Sequence, residues 1–414
     1  MRTRRETGTE VADSLGERIV FSGGLVFDGR HDDPSHVDVA VQDGRIVEVG
    51  PNLDGDRTID IAGTSLMPGL IDCHSHVAYD RLRGLDESVE LTSTYRALSS
   101  VATLRATLNV GITTVRDAGG ADAGHRDAVA DGLVPGPRLL VSLMQLSPSA
   151  GPYDDRSRSG LRPWVSTAAI PHPVADGPEA LRSKVREYAR AGADAIKIFA
   201  TGNFSMPRDG ARRALFSDEE LVAIVEEATR QGLRVMAHAH GATGAAAAAR
   251  AGVASIEHGF YLDDDAIDVM AEHGTYFVPT LLAGVGALEA ATDDHARGRL
   301  AQIISGHRDV VRTAHRRGVR IAMGTDCPMT PHGRNLEELE LLVECGLSPL
   351  DALKAATSTA ATLLGLEDEI GVIDAGFRAD LIVVDGDPRD VRGLATRVRD
   401  VYRDGDRVGP LGAT

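Results

Sequence analysis

Apolar and polar positions follow two different rhythms along the chain. At the start, Arg18–Gly29 (RIVFSGGLVFDG), Val37–Gly50 (VDVAVQDGRIVEVG) and Arg57–Gly69 (RTIDIAGTSLMPG) alternate in short, β-branched runs that predict strands. The Asp43-Gly44 pair predicts a two-residue hairpin turn. The same texture returns in Ile370–Pro388 (IGVIDAGFRADLIVVDGDP) and Val398–Val408 (VRDVYRDGDRV). Two β-rich ends around a different middle predict one small β-sandwich domain, built from residues 18–66 and 367–410.

In the middle, short apolar runs alternate with Ala-, Arg- and Glu-rich segments of helical period. Eight runs read as strands: the one ending LIDCHSHV, then Thr113–Gly119, Arg138–Gln145, Asp194–Gly202, Leu233–Gly241, Ala254–Phe260, Thr275–Leu281 and Val319–Asp326. Helix signals lie between them. Ser217 with Glu220 forms a capping box, and the GATGAAAAARAG segment stops at Gly252. The expectation is an α/β fold, a (β/α)8 TIM barrel over residues 67–366. An open doubly wound sheet is the rival, but no strand is followed by a Gly-rich phosphate loop.

In such a barrel the chemistry sits at the C-terminal ends of strands, and polar residues mark those ends here. The first run ends His74-Ser75-His76, and residues i and i+2 of a strand point to one side. The fourth carries Lys197, the fifth His238 and His240, the sixth His258, the eighth Asp326. Each has an ordinary reading: an incidental His-x-His, a snorkelling lysine, a satisfied core histidine, a helix cap. A lysine inside IKIFA resists it, since an unpaired buried ammonium is costly. Together the positions predict one metal site.

Bulk composition narrows the context. The 414 residues are 43% hydrophobic and 25% charged, with a net charge of −17 that disfavours nucleic acid and anionic membranes as partners. Three cysteines without a framework spacing predict reduced thiols and a cytoplasmic location. Residues 1–17, with Arg4-Arg5 but no apolar run after them, read as a flexible tail. No window is long and apolar enough for a membrane span.

The segments PGLIDCHSHV, GITTVRDAGG, GADAIKIFATG, VMAHAHG, SIEHG and GTD, in this order, resemble the amidohydrolase superfamily. They are most similar to its metal-dependent Xaa-Pro dipeptidase (prolidase-like) and N-acyl-amino-acid or ochratoxin-hydrolysing branch. The resemblance runs from about residue 18 to 408. It implies two divalent metal ions, by default Zn2+, with Mn2+, Co2+ or Fe2+ as alternatives. By that resemblance His74, His76 and Asp326 hold the more buried ion and His238 and His258 the other. Lys197 would carry a CO2-derived carbamate bridging both, and CO2 adds to a neutral amine, the form that burial favours.

A metal-bridging hydroxide would then attack an amide carbonyl, with Asp326 as proton shuttle to the leaving amine. The family pattern favours His238 over His240 as ligand. His240 falls at a catalytic, substrate-contacting position. Arg116 either holds a substrate carboxylate or pairs with Asp117, and His332 either lies at the mouth or caps a helix. Tyr153, Met206 and Arg208 are further candidate substrate contacts on the 146–160 and 202–216 loops. Cys73 and Cys327, turned from the ligand face by strand alternation, read as packing.

The chain departs from prolidase-like relatives after the third strand. QLSPSAGPYDDRSRSG lacks their Gly-Gly-His-Gly type segment, so the resemblance does not carry dipeptide specificity with it. The expected substrate is a small-molecule amide: a dipeptide such as Xaa-Pro, an N-acyl amino acid or an aryl amide. Alternatives are a cyclic amide, urea or carbamate, or an imidazolonepropionase-like mononuclear site, which typically lacks the lysine. A non-catalytic metal-binding protein is the reading from another class. A homo-oligomer is expected only by analogy with relatives.

Overall fold

The structure is a computed structural model that describes residues 16–81, 90–154, 159, 169–204, 206 and 208–412. Most of the expected 1–17 tail lies outside the described residues.

Six strands come first: β1 (Ile19–Ser22), β2 (Leu25–Val26), β3 (Asp38–Gln42), β4 (Arg45–Gly50), β5 (Arg57–Asp60) and β6 (Thr64–Pro68). Asp43 and Gly44, with φ of 49° and 77°, make the predicted turn between β3 and β4. Seven strands follow in the middle: β7 (Leu70–Ser75), β8 (Ile112–Asp117), β9 (Arg138–Val141), β10 (Ala195–Phe199), β11 (Arg234–Gly241), β12 (Ser255–Tyr261) and β13 (Tyr276–Val278). The last three are β14 (Leu381–Asp385), β15 (Val398–Arg403) and β16 (Asp406–Gly409).

The chain's two ends meet in one sheet, ordered β16-β15-β14-β6-β2, beside a second ordered β4-β3-β1-β5. One apolar cluster joins Phe21, Val39, Ile46 and Leu66 to Val383 and Tyr402, so residues far apart in sequence share this core. That is why both termini carry the same alternating pattern.

The middle strands are parallel and form sheets β7-β8-β9 and β10-β11-β12-β13. Isolated parallel bridges connect Leu146 to Ile198, Phe277 to Ile321 and Ser75 to Cys327. The run Val319–Asp326, expected as an eighth strand, makes the bridge at Ile321, with Cys327 just beyond it making another, and not a continuous ladder. Its backbone still accepts from Cys73 N–H at Met323 and donates to His74 carbonyl from Asp326. Helices lie between the strands and bury aliphatic side chains against them. In helix Asp218–Arg230, Ser217 and Glu220 form the predicted capping box. Helix Ala242–Ala251 stops at Gly252, whose φ of 93° suits a residue without Cβ. Among the described residues no helix is long and apolar enough to cross a membrane.

Candidate metal centre

Strand alternation carries His74 and His76 to one side of the end of β7. The Nδ1–H of His74 donates to Glu257 Oε2 at 2.7 Å, and that of His76 to the Gly119 carbonyl at 2.7 Å. The Nε2 atoms of both rings point at Asp326 Oδ1, at 3.4 and 3.1 Å, and in a neutral ring such an atom presents a lone pair. Lone pairs facing a carboxylate repel unless positive charge lies between them, so the donor set suits a cation. The titration directions agree. Burial works against a charged His76, yet the Asp326 carboxylate overrides it and raises the ring. Burial pushes Asp326 up, but the facing His74 and His76 rings hold it well below the usual carboxylate range.

His238, His240 and His258 close the other side of the cluster. The His258 ring lies 4.7 Å from that of His74 and 4.6 Å from that of His238, and His238 lies 4.4 Å from His240. His258 has a left-handed φ of 73° and donates from Nδ1 to Thr280 Oγ1 at 2.8 Å. Desolvation, with neighbouring positive groups, holds His238 and His258 well below the usual histidine range and takes His240 to about 3. All three are therefore neutral imidazoles, the form that binds metals.

Lys197, on β10, is buried, and among the described residues its Nζ has no hydrogen-bond partner. Desolvation lowers its amine to about 8 against the pull of Glu257 and Asp326. A buried cation without a partner is unstable, and this one lies in the same cavity as the histidines. These residues fit a metal centre better than an ordinary core.

The cavity above them measures about 520 Å³, within the usual range for small-molecule sites. Tyr153 and His240 line it. Four other candidate contacts lie outside the described lining of the cavity. Arg116 does not reach the cavity: it is buried, donates to the Cys73 carbonyl and Ser255 Oγ, and pairs with Glu257 at 3.1 Å, not with Asp117. Met206 folds onto its own loop, where a Cβ at Gly202 would meet its Sδ at 2.7 Å. Arg208 is exposed, with a left-handed φ of 57°. His332 neither lines the cavity nor caps a helix; its ring ties Thr107 Oγ1 to the Tyr79 carbonyl. Cys73 and Cys327 pack in apolar clusters.

Sequence reasoning passed over Glu257, one residue before His258. It bonds His74, Arg116 and Ser255 Oγ at once, and burial is overcome by the Arg116 charge and the His74 bond to hold it at about 2. The available signal was an arginine and a glutamate in two separate apolar strands, which must pair if both are buried. Glu257→Gln is expected to destabilise the chain by about 3 kcal/mol, because the Arg116 guanidinium then stays buried without its counter-charge. Urea unfolding measures this, and the double variant Arg116→Met/Glu257→Gln should recover part of the loss. Equal losses in both would show that the pair is not the cause.

Residues 65–408 match the amidohydrolase family. Ochratoxinase from Aspergillus niger is 34% identical over 345 residues, 78% of this chain and 70% of that protein. A solved Xaa-Pro dipeptidase with methionine bound in its active site superposes with a TM-score of 0.87 at 30% identity, over 94% of this chain and 99% of that one. A prolidase complexed with N-methylphosphonate-L-proline gives 0.85 at 35% identity, over 94% and 99%. The chain belongs to the amidohydrolase family and is a hydrolase acting on amide bonds.

Proposed function

We propose that the chain is a binuclear metal-dependent amidohydrolase. Its frame is a (β/α)8 barrel over 67–366, a reading supported by the parallel bridges Leu146–Ile198, Phe277–Ile321 and Ser75–Cys327. Residues 18–66 and 367–410 form the β-sandwich domain beside it, a reading supported by their shared core. His74, His76 and Asp326 would hold one divalent ion and His238 and His258 the other, with Lys197, as its carbamate, supplying further oxygen ligands. Zn2+ suits this nitrogen and oxygen donor set. When bound, such ions supply Lewis acidity toward a water molecule and toward the scissile carbonyl.

The chain's own residues do the rest. Glu257 and the Gly119 carbonyl fix which nitrogen His74 and His76 present. Asp326 accepts a proton from the attacking water and returns it to the leaving amine, a role that requires an ionised carboxylate. Tyr153, from the wall of the cavity, and His240, under it, border the space where the substrate lies. The substrate is a dipeptide such as Xaa-Pro, an N-acyl amino acid or an aryl amide. The observation that carries the reading is the approach of two Nε2 atoms to one carboxylate oxygen beside a buried lysine that has no hydrogen-bond partner among the described residues.

The test is metal analysis of the purified protein together with turnover of an amide panel. Two equivalents of divalent metal and hydrolysis of at least one amide class are expected, with both lost after chelation. A protein that hydrolyses amides equally well without metal would overturn the mechanism.

A further inference from the structure

The cavity over the histidines has two unlike faces. The segments after β7 and β9 contribute Tyr79, Arg96, Gln145 and Tyr153, all with polar ends. Another part of the lining is supplied by helices Leu281–Glu289 and Asp294–Arg316, which follow β13. Leu300, Ile303 and Ile304 form one stripe of the longer helix, by their spacing of three and four. The stripe continues to His307 and Val311, which are fully buried. Its outer three residues are only half-buried and end in the cavity. A helix ordinarily buries such a stripe whole, so the outer part faces something that the described residues do not provide.

The neighbouring helix is held close by glycines. A Cβ at Gly284 would stand 3.1 Å from Ile304, and one at Gly286 only 2.1 Å from the Met329 carbonyl oxygen. Close packing fixes that helix in place, and its cavity-lining residues Ala283 and Ala287 are small. Phe204 and Phe260, in edge contact at 5.3 Å, stand over the inner end. The Phe204 ring is 4.5 Å from that of His240, yet Phe204 is 51% exposed. A half-exposed aromatic ring directly above a buried imidazole is placed where a bound group would cover it.

We propose that this face seats a bulky apolar group, an aromatic ring or a branched alkyl chain, carried on one side of the scissile amide. Ala283 and Ala287 set its size, and Ile303 supplies its contact. The inference rests on the amide-hydrolase reading and adds which amides are taken.

Two substrate series test it with the metal-loaded enzyme. One varies the acyl group (N-acetyl-, N-benzoyl- and N-(2-naphthoyl)-L-alanine), the other the amine (N-acetyl-L-alanine, -L-phenylalanine and -L-tryptophan). In at least one series kcat/KM is expected to rise by roughly tenfold or more from smallest to largest, the scale that even a single buried methylene reaches. Ala287→Trp fills the seat and should reverse that order. Ile303→Ser, at a half-buried position that tolerates substitution better, should shrink the largest-to-smallest ratio at least about threefold. Turnover that is flat or falling with apolar bulk in both series overturns the seat and leaves amide hydrolysis standing. An unchanged ratio in both variants overturns it equally. No turnover of any member overturns the amide reading, and the seat with it.

Discussion

Asp326→Asn is expected to lower kcat on any cleaved amide by about a thousandfold, within the range for removal of a positioned general acid–base group. The variant removes the proton acceptor and weakens the cation-binding set in one change. It removes the negative charge that His74 and His76 face at 3.4 and 3.1 Å. The choice of asparagine matters. Asp326 has a φ of 57°, a left-handed conformation that asparagine tolerates and most other residues do not. Alanine there would add backbone strain of about 1–2 kcal/mol and blur the result. With asparagine the metal-free protein should lose some stability at neutral pH, since the depressed titration of Asp326 marks a carboxylate that the folded state favours. Metal analysis separates the two losses. If Asp326→Asn keeps its metal and turns over within threefold of the parent, the carboxylate is not the proton shuttle.

The chemistry of the centre was legible because it breaks the strand pattern. A lysine in IKIFA and histidines in VMAHAHG and SIEHG are polar residues where the period demands apolar ones. Period two also told which neighbours share a side, and so separated His74 and His76 from Cys73. Pairing across the fold was not legible. Arg116 sits beside Asp117 in sequence, but Asp117 turns to accept from the N–H groups of Val77, Gly119 and Ala121, while Arg116 crosses to Glu257, 141 positions away.

Nothing local distinguishes those choices, because both carboxylates offer the same chemistry. Loop residues were hard to place for a related reason. Met206, Arg208 and His332 have side chains that reach far, and their backbone course decides what they reach. The stripe Leu300, Ile303 and Ile304 has the sequence of any core-facing helix. Only the packing of Gly284 and Gly286 shows that its outer end opens on the cavity.

Two substitutions at Lys197 should have the second large effect, and comparing them isolates the amine from its volume. Lys197→Ala is expected to lose metal and at least about a hundredfold in activity, the scale seen when a partner of a metal ligand is removed. Acetate or propionate should restore part of both, since a short carboxylate can enter the space left by the stem and supply two oxygens. Lys197→Met keeps the volume and has no amine. It should be as inactive as the alanine variant, yet resist rescue, because the space is filled.

Their metal-free stabilities should also differ. The buried ammonium is lowered from 10.5 to about 8 by desolvation, so at pH 7 the folded chain holds a proton that the unfolded chain holds more readily. That penalty is fully present below about pH 8 and relaxes as pH rises toward 10.5, where both states are neutral. Metal-free parent protein should therefore gain stability over that interval relative to Lys197→Met, which lacks the titrating group. Below pH 8 the methionine variant should be the more stable of the two, since it replaces an unpartnered amine with an apolar chain of similar length. Urea titrations at pH 7 and pH 10 measure this directly. If Lys197→Met retains two ions and the parental rate, Lys197 is not the bridge. If instead its metal-free form is less stable at pH 7, the amine has a partner in solution, and the burial that makes it available to CO2 is not there.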